Sequence, residues 1–161
     1  MGVSGSGKTS IGEGLAAHLG MPLLEGDQFH PTANIEKMSS GTPLTDDDRW
    51  PWLDAIAAAM RDAPDGVIVT CSSLRRVYRD RLRAGAGKPV VFVFLDGSRE
   101  TIAARLADRK GHFMPPSLLA SQFATLEPPA ADEPGIVRVS IDPPVETVVA
   151  LALEGIAAAR V

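Results

Sequence analysis

The sequence predicts a three-layer α/β sandwich around a parallel sheet, and three observations carry that expectation. Apolar or β-branched runs at residues 22–25, 66–71, 88–95 and 135–141 are each followed by a stretch of helical periodicity. Strand and helix in alternation is the signature of a parallel sheet covered on both faces. The clearest run, Lys88 to Leu95, holds Val90, Val91, Phe92, Val93 and Phe94 without a polar interruption, as a strand buried on both sides demands. Finally, Gly2 to Thr9 reads Gly-Val-Ser-Gly-Ser-Gly-Lys-Thr, which fits at every required position the phosphate-binding loop that links a buried strand to a helix.

Only Met1 stands ahead of that loop, where its strand should lie. Three or so buried aliphatic side chains contribute roughly 1.5–3 kcal/mol each, against a typical total stability of about 5–15 kcal/mol. The expectation is therefore that the natural protein begins upstream of Met1, with an apolar strand.

The 161 residues form a single domain by length, large enough for a proper core, and contain no internal repeat. A formal net charge of −4 argues against nucleic acid or a membrane surface as the main partner, so the positive charge that meets phosphate has to be concentrated locally. Cys71 is the only cysteine, which leaves no internal disulfide and suits a reducing compartment. No apolar run reaches the roughly 18 residues of a membrane span, and no signal peptide precedes the loop. The expected location is the cytoplasm.

Taken in order, Ile11, Leu15 and Leu19 predict a first helix over 10–19 that Gly20 ends. The run 22–25 then delivers Glu25-Gly26-Asp27-Gln28-Phe29-His30-Pro31 to its C-terminal end, the edge where open α/β sheets bind ligands. Residues 34–38 predict a short helix. Thr45 followed by Asp46, Asp47 and Asp48 predicts the capped start of a longer one, striped by Trp52, Leu53, Ile56 and Met60. The three aspartates are read as cap residues rather than metal ligands. After the run 66–71 comes a basic helix on which Arg75, Arg79 and Arg83 share a face. Asp96 to Asp108 predicts another helix, with Ile102 and Leu106 inward; Lys110 through Pro134 resembles a mobile cover, and Val145 to Ala159 closes the chain as an amphipathic helix. The organisation is one domain with a substrate-binding insert at about 28–62 and a lid at about 109–134.

In such a loop the glycines let successive N–H groups turn inward toward phosphate oxygens, and the following helix adds its positive end. Lys8 is then the charge for the β- and γ-phosphates, and the Thr9 hydroxyl a ligand for Mg²⁺. Asp27, just past a strand end, is placed to orient a substrate hydroxyl or take its proton. A turn-forming aspartate after Gly26 is the plain alternative; the company of His30 and the loop decides for chemistry. Arg49 suits an anionic substrate. Arg75 and Arg79 offer forked donors for carboxylate or phosphate, against the alternative of a solvated basic face. Arg105 and Arg109 enter the cover, whose exclusion of water would direct a phosphoryl group to substrate. Cys71 is read as a small buried hydrophobe.

With these residues in view, the sequence resembles the gluconate kinases, small P-loop sugar-acid kinases akin in fold to shikimate and nucleoside monophosphate kinases. The likeness runs nearly end to end: Met-Gly-Val-Ser-Gly-Ser-Gly-Lys at 1–8, Gly-Asp with His-Pro at 26–31, Asn-Ile-Glu-Lys-Met at 34–38, Asp-Asp-Asp-Arg at 46–49, Cys-Ser with Leu at 71–74, Tyr-Arg-Asp at 78–80, Arg-Lys-Gly-His-Phe at 109–113, and Gln-Phe with Thr-Leu-Glu at 122–127. The resemblance implies ATP- and Mg²⁺-dependent phosphorylation of D-gluconate at its C6 hydroxyl, usually by a homodimer. It implies a nucleotide site of Gly2, Ser4, Gly5, Ser6, Gly7, Lys8, Thr9, Ser10, Arg105, Arg109 and Asp142, and a gluconate site of Asp27, His30, Lys37, Arg49, Arg75, Arg79 and His112. Catalytic roles fall to Lys8, Asp27 and Arg109, with Glu25 in the shell behind the magnesium. Family members also carry a short apolar strand before the loop. Thr9 stands where the family usually has Ser, Glu25 where Asp is common, and Arg75 where Lys is common; hydroxyl and charge are kept in each.

Two other readings share the loop. One is a kinase for shikimate or a nucleotide. The other is a nucleotide-operated regulatory protein without an acceptor, which has no use for Asp27 or the arginine row.

Overall fold

A computed structural model describes residues 1–109 and 116–159. In chain order its elements are α1 (Lys8–Leu19), β1 (Leu23–Glu25), a single 3₁₀ turn (Gly26–Phe29), α2 (Thr32–Ser39), α3 (Asp46–Asp62), β2 (Ile68–Thr70), α4 (Arg76–Ala86), β3 (Phe92–Asp96), α5 (Arg99–Asp108), α6 (Pro116–Thr125), β4 (Ile136–Ser140) and α7 (Val145–Ala158). The four expected strands are present, and all pair in parallel. Local chemistry sets the helix ends. Thr45 caps α3 through a reciprocal box with Asp48, and Ser98 caps α5 by accepting from the Thr101 N–H. Gly20 and Gly87 close α1 and α4 in the left-handed conformation.

Helix α6 lies within the segment expected to act as a cover. Its Leu119 is buried, and Phe123 with the following Leu126 packs on the main core. An apolar face of that kind draws the segment onto the domain.

The parallel sheet is in two halves. Leu23, Leu24 and Glu25 of β1 face Ile68, Val69 and Thr70 of β2, while β3 and β4 pair from Phe92 with Ile136 to Asp96 with Ser140. Between the halves lies a cavity of about 290 Å³ whose walls include Val67, Val69, Cys71, Val90, Phe92 and Ile56. Met1 and Gly2 bridge its upper end: the Met1 ammonium donates to the Val93 carbonyl at 2.6 Å, Leu95 N–H donates to the Met1 carbonyl at 3.0 Å, and Gly2 N–H donates to Ser72 O at 3.1 Å. Burial pushes the Met1 ammonium down to about 5 from an ordinary 8.0. The folded chain thus releases that proton more readily than the unfolded chain, so this group's contribution to stability is lowest below about pH 5 and rises as pH climbs toward 8.

Extending the chain ahead of Met1 with a short run of β-branched residues replaces the buried ammonium by an amide and supplies apolar side chains for the cavity. The expected result is a higher melting temperature at every pH, with the largest gain on the acid side. Identical melting curves for the two chains across pH 5–8 would contradict this account of the gap.

Two apolar clusters flank the sheet. One joins Val3, Ile11, Leu15, Leu95, Ile102, Val137, Val139, Val148 and Val149, and so binds α1, α5 and α7 to β3 and β4. The other joins Trp52, Leu53, Ile56, Tyr78, Leu82, Cys71 and Phe92, and seats α3 and α4. Because strands within each pair are parallel, the loops that follow them open at one edge, beside the phosphate-binding loop.

Candidate active site

The phosphate-binding loop turns through Gly5 and Gly7 with φ of 81° and 93°, conformations that glycine adopts without strain. Gly7 is the N-cap of α1 and provides no side-chain cap, so the first amides of the helix face the loop's concavity unblocked by a side chain of their own. Lys8 Nζ donates to the carbonyls of Gly2 and Val3 at 3.1 and 3.0 Å. Burial lowers the proton affinity of Lys8, and the negative charge of Asp27 is the strongest influence opposing it. Thr9 and Ser10 are exposed at the start of α1, whereas Ser6 is buried.

The second wall of the site comes from the turn after β1. A Cβ on Gly26 would lie 2.1 Å from the Thr70 carbonyl oxygen, so only glycine lets this turn pass so close to β2. Trp52 Nε1 donates to the Gly26 carbonyl at 2.7 Å, and the Thr70 hydroxyl donates to the Glu25 carboxylate. Asp27 emerges from this fixed point, exposed on the 3₁₀ turn. The His30 ring stacks on Trp52 with centroids 4.2 Å apart. Its Nδ1 accepts from Asn34 Nδ2 at 3.2 Å, which leaves the hydrogen of the neutral ring on Nε2. Burial lowers the His30 pKa, Asp27 opposes that shift and Arg49 reinforces it. Asp27 therefore acts electrostatically on the loop lysine and on His30 alike.

A charged cluster forms the far side. The Tyr78 hydroxyl donates to Asp46, Arg75 Nη1 donates to the same carboxylate at 2.5 Å, and Arg49 lies 3.9 Å from it. Both guanidinium groups sit over the Tyr78 ring, at 5.5 and 5.6 Å from its centroid. Hydrogen bonds from Tyr78, then Arg75, hold the Asp46 carboxyl below the usual range. Arg75 also donates through Nε to Glu127 at 3.2 Å.

Several residues expected here are committed elsewhere. Arg79 is a correction: its side chain is 0% exposed and forms a two-pronged pair with Glu133, at 2.7 Å through Nε and 2.5 Å through Nη2. Its remaining nitrogen donates to the carbonyls of Ser73, Leu74 and Glu127, so it holds the backbone beneath the site and does not face a substrate. Lys37 is bound by Asp48 at 2.8 Å, which ties α2 to the first turn of α3. Arg105 donates to the Ile141 carbonyl, and Asp142 follows in a turn closed by Ser140. These two residues meet at the β4–α7 turn. Arg109 ends α5, exposed, and its charge is felt at Lys8. His112 lies outside the described residues.

Sequence reasoning missed Asn34, Tyr78, Gln122 and Glu133 as participants. Asn34 is 3% exposed and also donates to the Asp48 carbonyl. A polar residue predicted on a short helix gives no sign by itself that it is buried.

A phosphate-binding loop at the edge of a parallel α/β fold, with the charge of an exposed carboxylate bearing on its lysine, defines a P-loop kinase. A family model described as an AAA domain matches residues 1–129. The gluconokinase of Gluconobacter oxydans is 54% identical over 143 residues, covering 87% of this chain and 79% of that protein. The thermosensitive gluconokinase of Escherichia coli is 53% identical, covering 88% and 77% respectively. A solved gluconokinase from Sinorhizobium meliloti 1021 superposes with a TM-score of 0.91 at 51% identity, over 98% of this chain and 89% of that one. An APS kinase of Mycobacterium tuberculosis, 20% identical with a TM-score of 0.67, shares the fold. The chain belongs to the gluconokinase family.

Proposed function

We infer that the chain transfers the γ-phosphoryl group of ATP to the C6 hydroxyl of D-gluconate, giving 6-phosphogluconate. The observation that carries this reading is Asp27, exposed on the turn that follows β1, whose charge bears on both Lys8 and His30. A carboxylate near both a phosphate-holding amine and a ring N–H donor is suited to lining up an acceptor hydroxyl.

The loop amides and Lys8 would hold the triphosphate, and nucleotide binding would draw Lys8 away from the Gly2 and Val3 carbonyls. The exposed Thr9 hydroxyl fits a magnesium ion carried with the nucleotide, with Glu25 behind it, steadied by Thr70. Bound magnesium supplies charge neutralisation at the phosphate oxygens. Asp27 orients the acceptor hydroxyl or accepts its proton. His30, through Nε2–H, binds a sugar hydroxyl, and Arg49 and Arg75 receive the gluconate carboxylate by exchanging it for Asp46. Arg109 is the exposed cation on the phosphate side, and Arg105 braces the turn that carries Asp142. The same reading places the enzyme in the cytoplasm as a homodimer; among the described residues no helix is long and apolar enough to cross a membrane.

The test is ADP release from MgATP in the presence of gluconate, shikimate or nucleoside monophosphates, each alone. Release stimulated by gluconate only is expected. Stimulation by another acceptor, or turnover indifferent to every acceptor, would move the assignment to the two rival classes.

A further inference from the structure

We propose that Gln122 is a positioning residue for phosphoryl transfer, fixing the leading edge of the phosphate loop to α6 and through it to the acceptor side of the site. This rests on the kinase reading above. Gln122 Oε1 accepts the Ser4 N–H at 2.7 Å, and Gln122 Nε2 donates to Ser4 Oγ at 3.0 Å. Both ends of one amide grip one loop residue, so the contact sets the orientation of Ser4 as well as its distance.

Packing around this contact gives it directional work to do. Val3 shares the main apolar cluster with Leu119, Phe123 and Leu126, but a cavity of about 270 Å³ is lined by Val3, Phe123 and Leu126 together, and hydrocarbon contact of that kind sets no orientation for Ser4. On the opposite side α5 is tight against the loop: a Cβ on Gly5 would lie 2.8 Å from Leu106. The loop is thus pressed from α5 by hydrocarbon and tethered from α6 by hydrogen bonds.

The other end of the same segment is bolted to the acceptor side. Glu127 N–H donates to the Leu74 carbonyl at 2.8 Å, and the Glu127 carboxylate accepts from the Arg76 N–H at 2.8 Å and from Arg75 Nε at 3.2 Å. The short stretch from Gln122 to Glu127 therefore spans from the phosphate loop to the arginine proposed to meet the acceptor's carboxylate. Its length sets the separation of donor and acceptor, and in-line transfer is sensitive to errors of about an ångström.

The experiment compares the wild-type chain with Gln122→Met, which keeps side-chain length and hydrocarbon but removes both hydrogen bonds. The melting temperature is expected to stay within about 2 °C, because the contact is partly solvated and the apolar bulk is retained. kcat with gluconate is expected to fall about tenfold or more while KM for gluconate stays within about twofold, and ADP formed per phosphogluconate is expected to rise above one as misaligned phosphoryl groups pass to water. Unchanged kcat with a ratio of one overturns the proposal, as does a lowered melting temperature with catalysis intact. Should the wild-type chain ignore gluconate, the functional reading fails, and Gln122 is then judged on titration with a non-hydrolysable ATP analogue and magnesium. Affinity weakened about threefold or more in Gln122→Met supports the tether to the loop, and equal affinity overturns it.

Discussion

Replacing Asp27 by Asn is expected to lower kcat for gluconate phosphorylation by about 10²-fold or more, with ATP affinity nearly intact. The substitution keeps the size of the side chain, and Asp27 is exposed on a turn held by Gly26, Trp52 and Thr70, so the fold has little reason to change. What is lost is the negative charge that Lys8 and His30 both feel, together with the carboxylate basicity needed to take a proton. An amide can still accept a hydrogen bond from the acceptor hydroxyl, which is why KM for gluconate is expected to change less than kcat. Steady-state kinetics with both substrates varied checks this. Normal turnover in Asp27→Asn would remove Asp27 from the reaction.

The second large effect is structural. Glu133→Gln is expected to destabilise the protein by about 3–5 kcal/mol, because it leaves the buried Arg79 guanidinium without its counter-ion. Arg79 and Glu133 are 0% and 1% exposed, and Arg83 adds a second cation 3.6 Å from the same carboxylate. The loss is large against a total stability of about 5–15 kcal/mol. Urea unfolding measures it. Exchanging both partners for hydrocarbon, as Arg79→Met with Glu133→Leu, is expected to recover part of the loss, although three backbone carbonyls then lack their donor. A Glu133→Gln variant within about 1 kcal/mol of wild type would show that the pair contributes little. Arg79 also holds the Ser73–Leu74 backbone from which Arg75 departs, and Ser73 there has a φ of 48°, rare for a residue with a side chain. Damage to the pair is therefore expected to reach gluconate binding as well as stability.

Much of this molecule is written locally and was legible for that reason. The phosphate loop is a contiguous pattern, the cap at Thr45 needs only its next three residues, and the run at Val90–Phe94 has no competing periodicity. The reading of Asp46, Asp47 and Asp48 as cap residues matches the box that Thr45 and Asp48 form. Asp46 nonetheless does more, serving Tyr78 and Arg75 from another helix, a partnership that local sequence does not encode.

What escaped was non-local. A row of arginines at helical spacing says which residues share a face, and nothing about what later covers it. Residues 127–133 fold back over Arg79 and bury it, leaving Arg75 at the helix end nearer the solvent. Lys37 is drawn to Asp48 across two helices for the same kind of reason. Gln122 of α6 has meaning only once Ser4, over a hundred residues away in sequence, is beside it. The cavity between β2 and β3 depends on how strands distant in the chain come to lie side by side, which no local pattern records.

The central claim is that this site moves a phosphoryl group onto the terminal hydroxyl of a sugar acid. The most direct measurement is phosphorus NMR of the products after incubation with MgATP and D-gluconate, with the ester assigned by its coupling to sugar protons. The account predicts 6-phosphogluconate and ADP in equal amounts. ADP accompanied by free phosphate alone, or an ester at any other carbon, would contradict it.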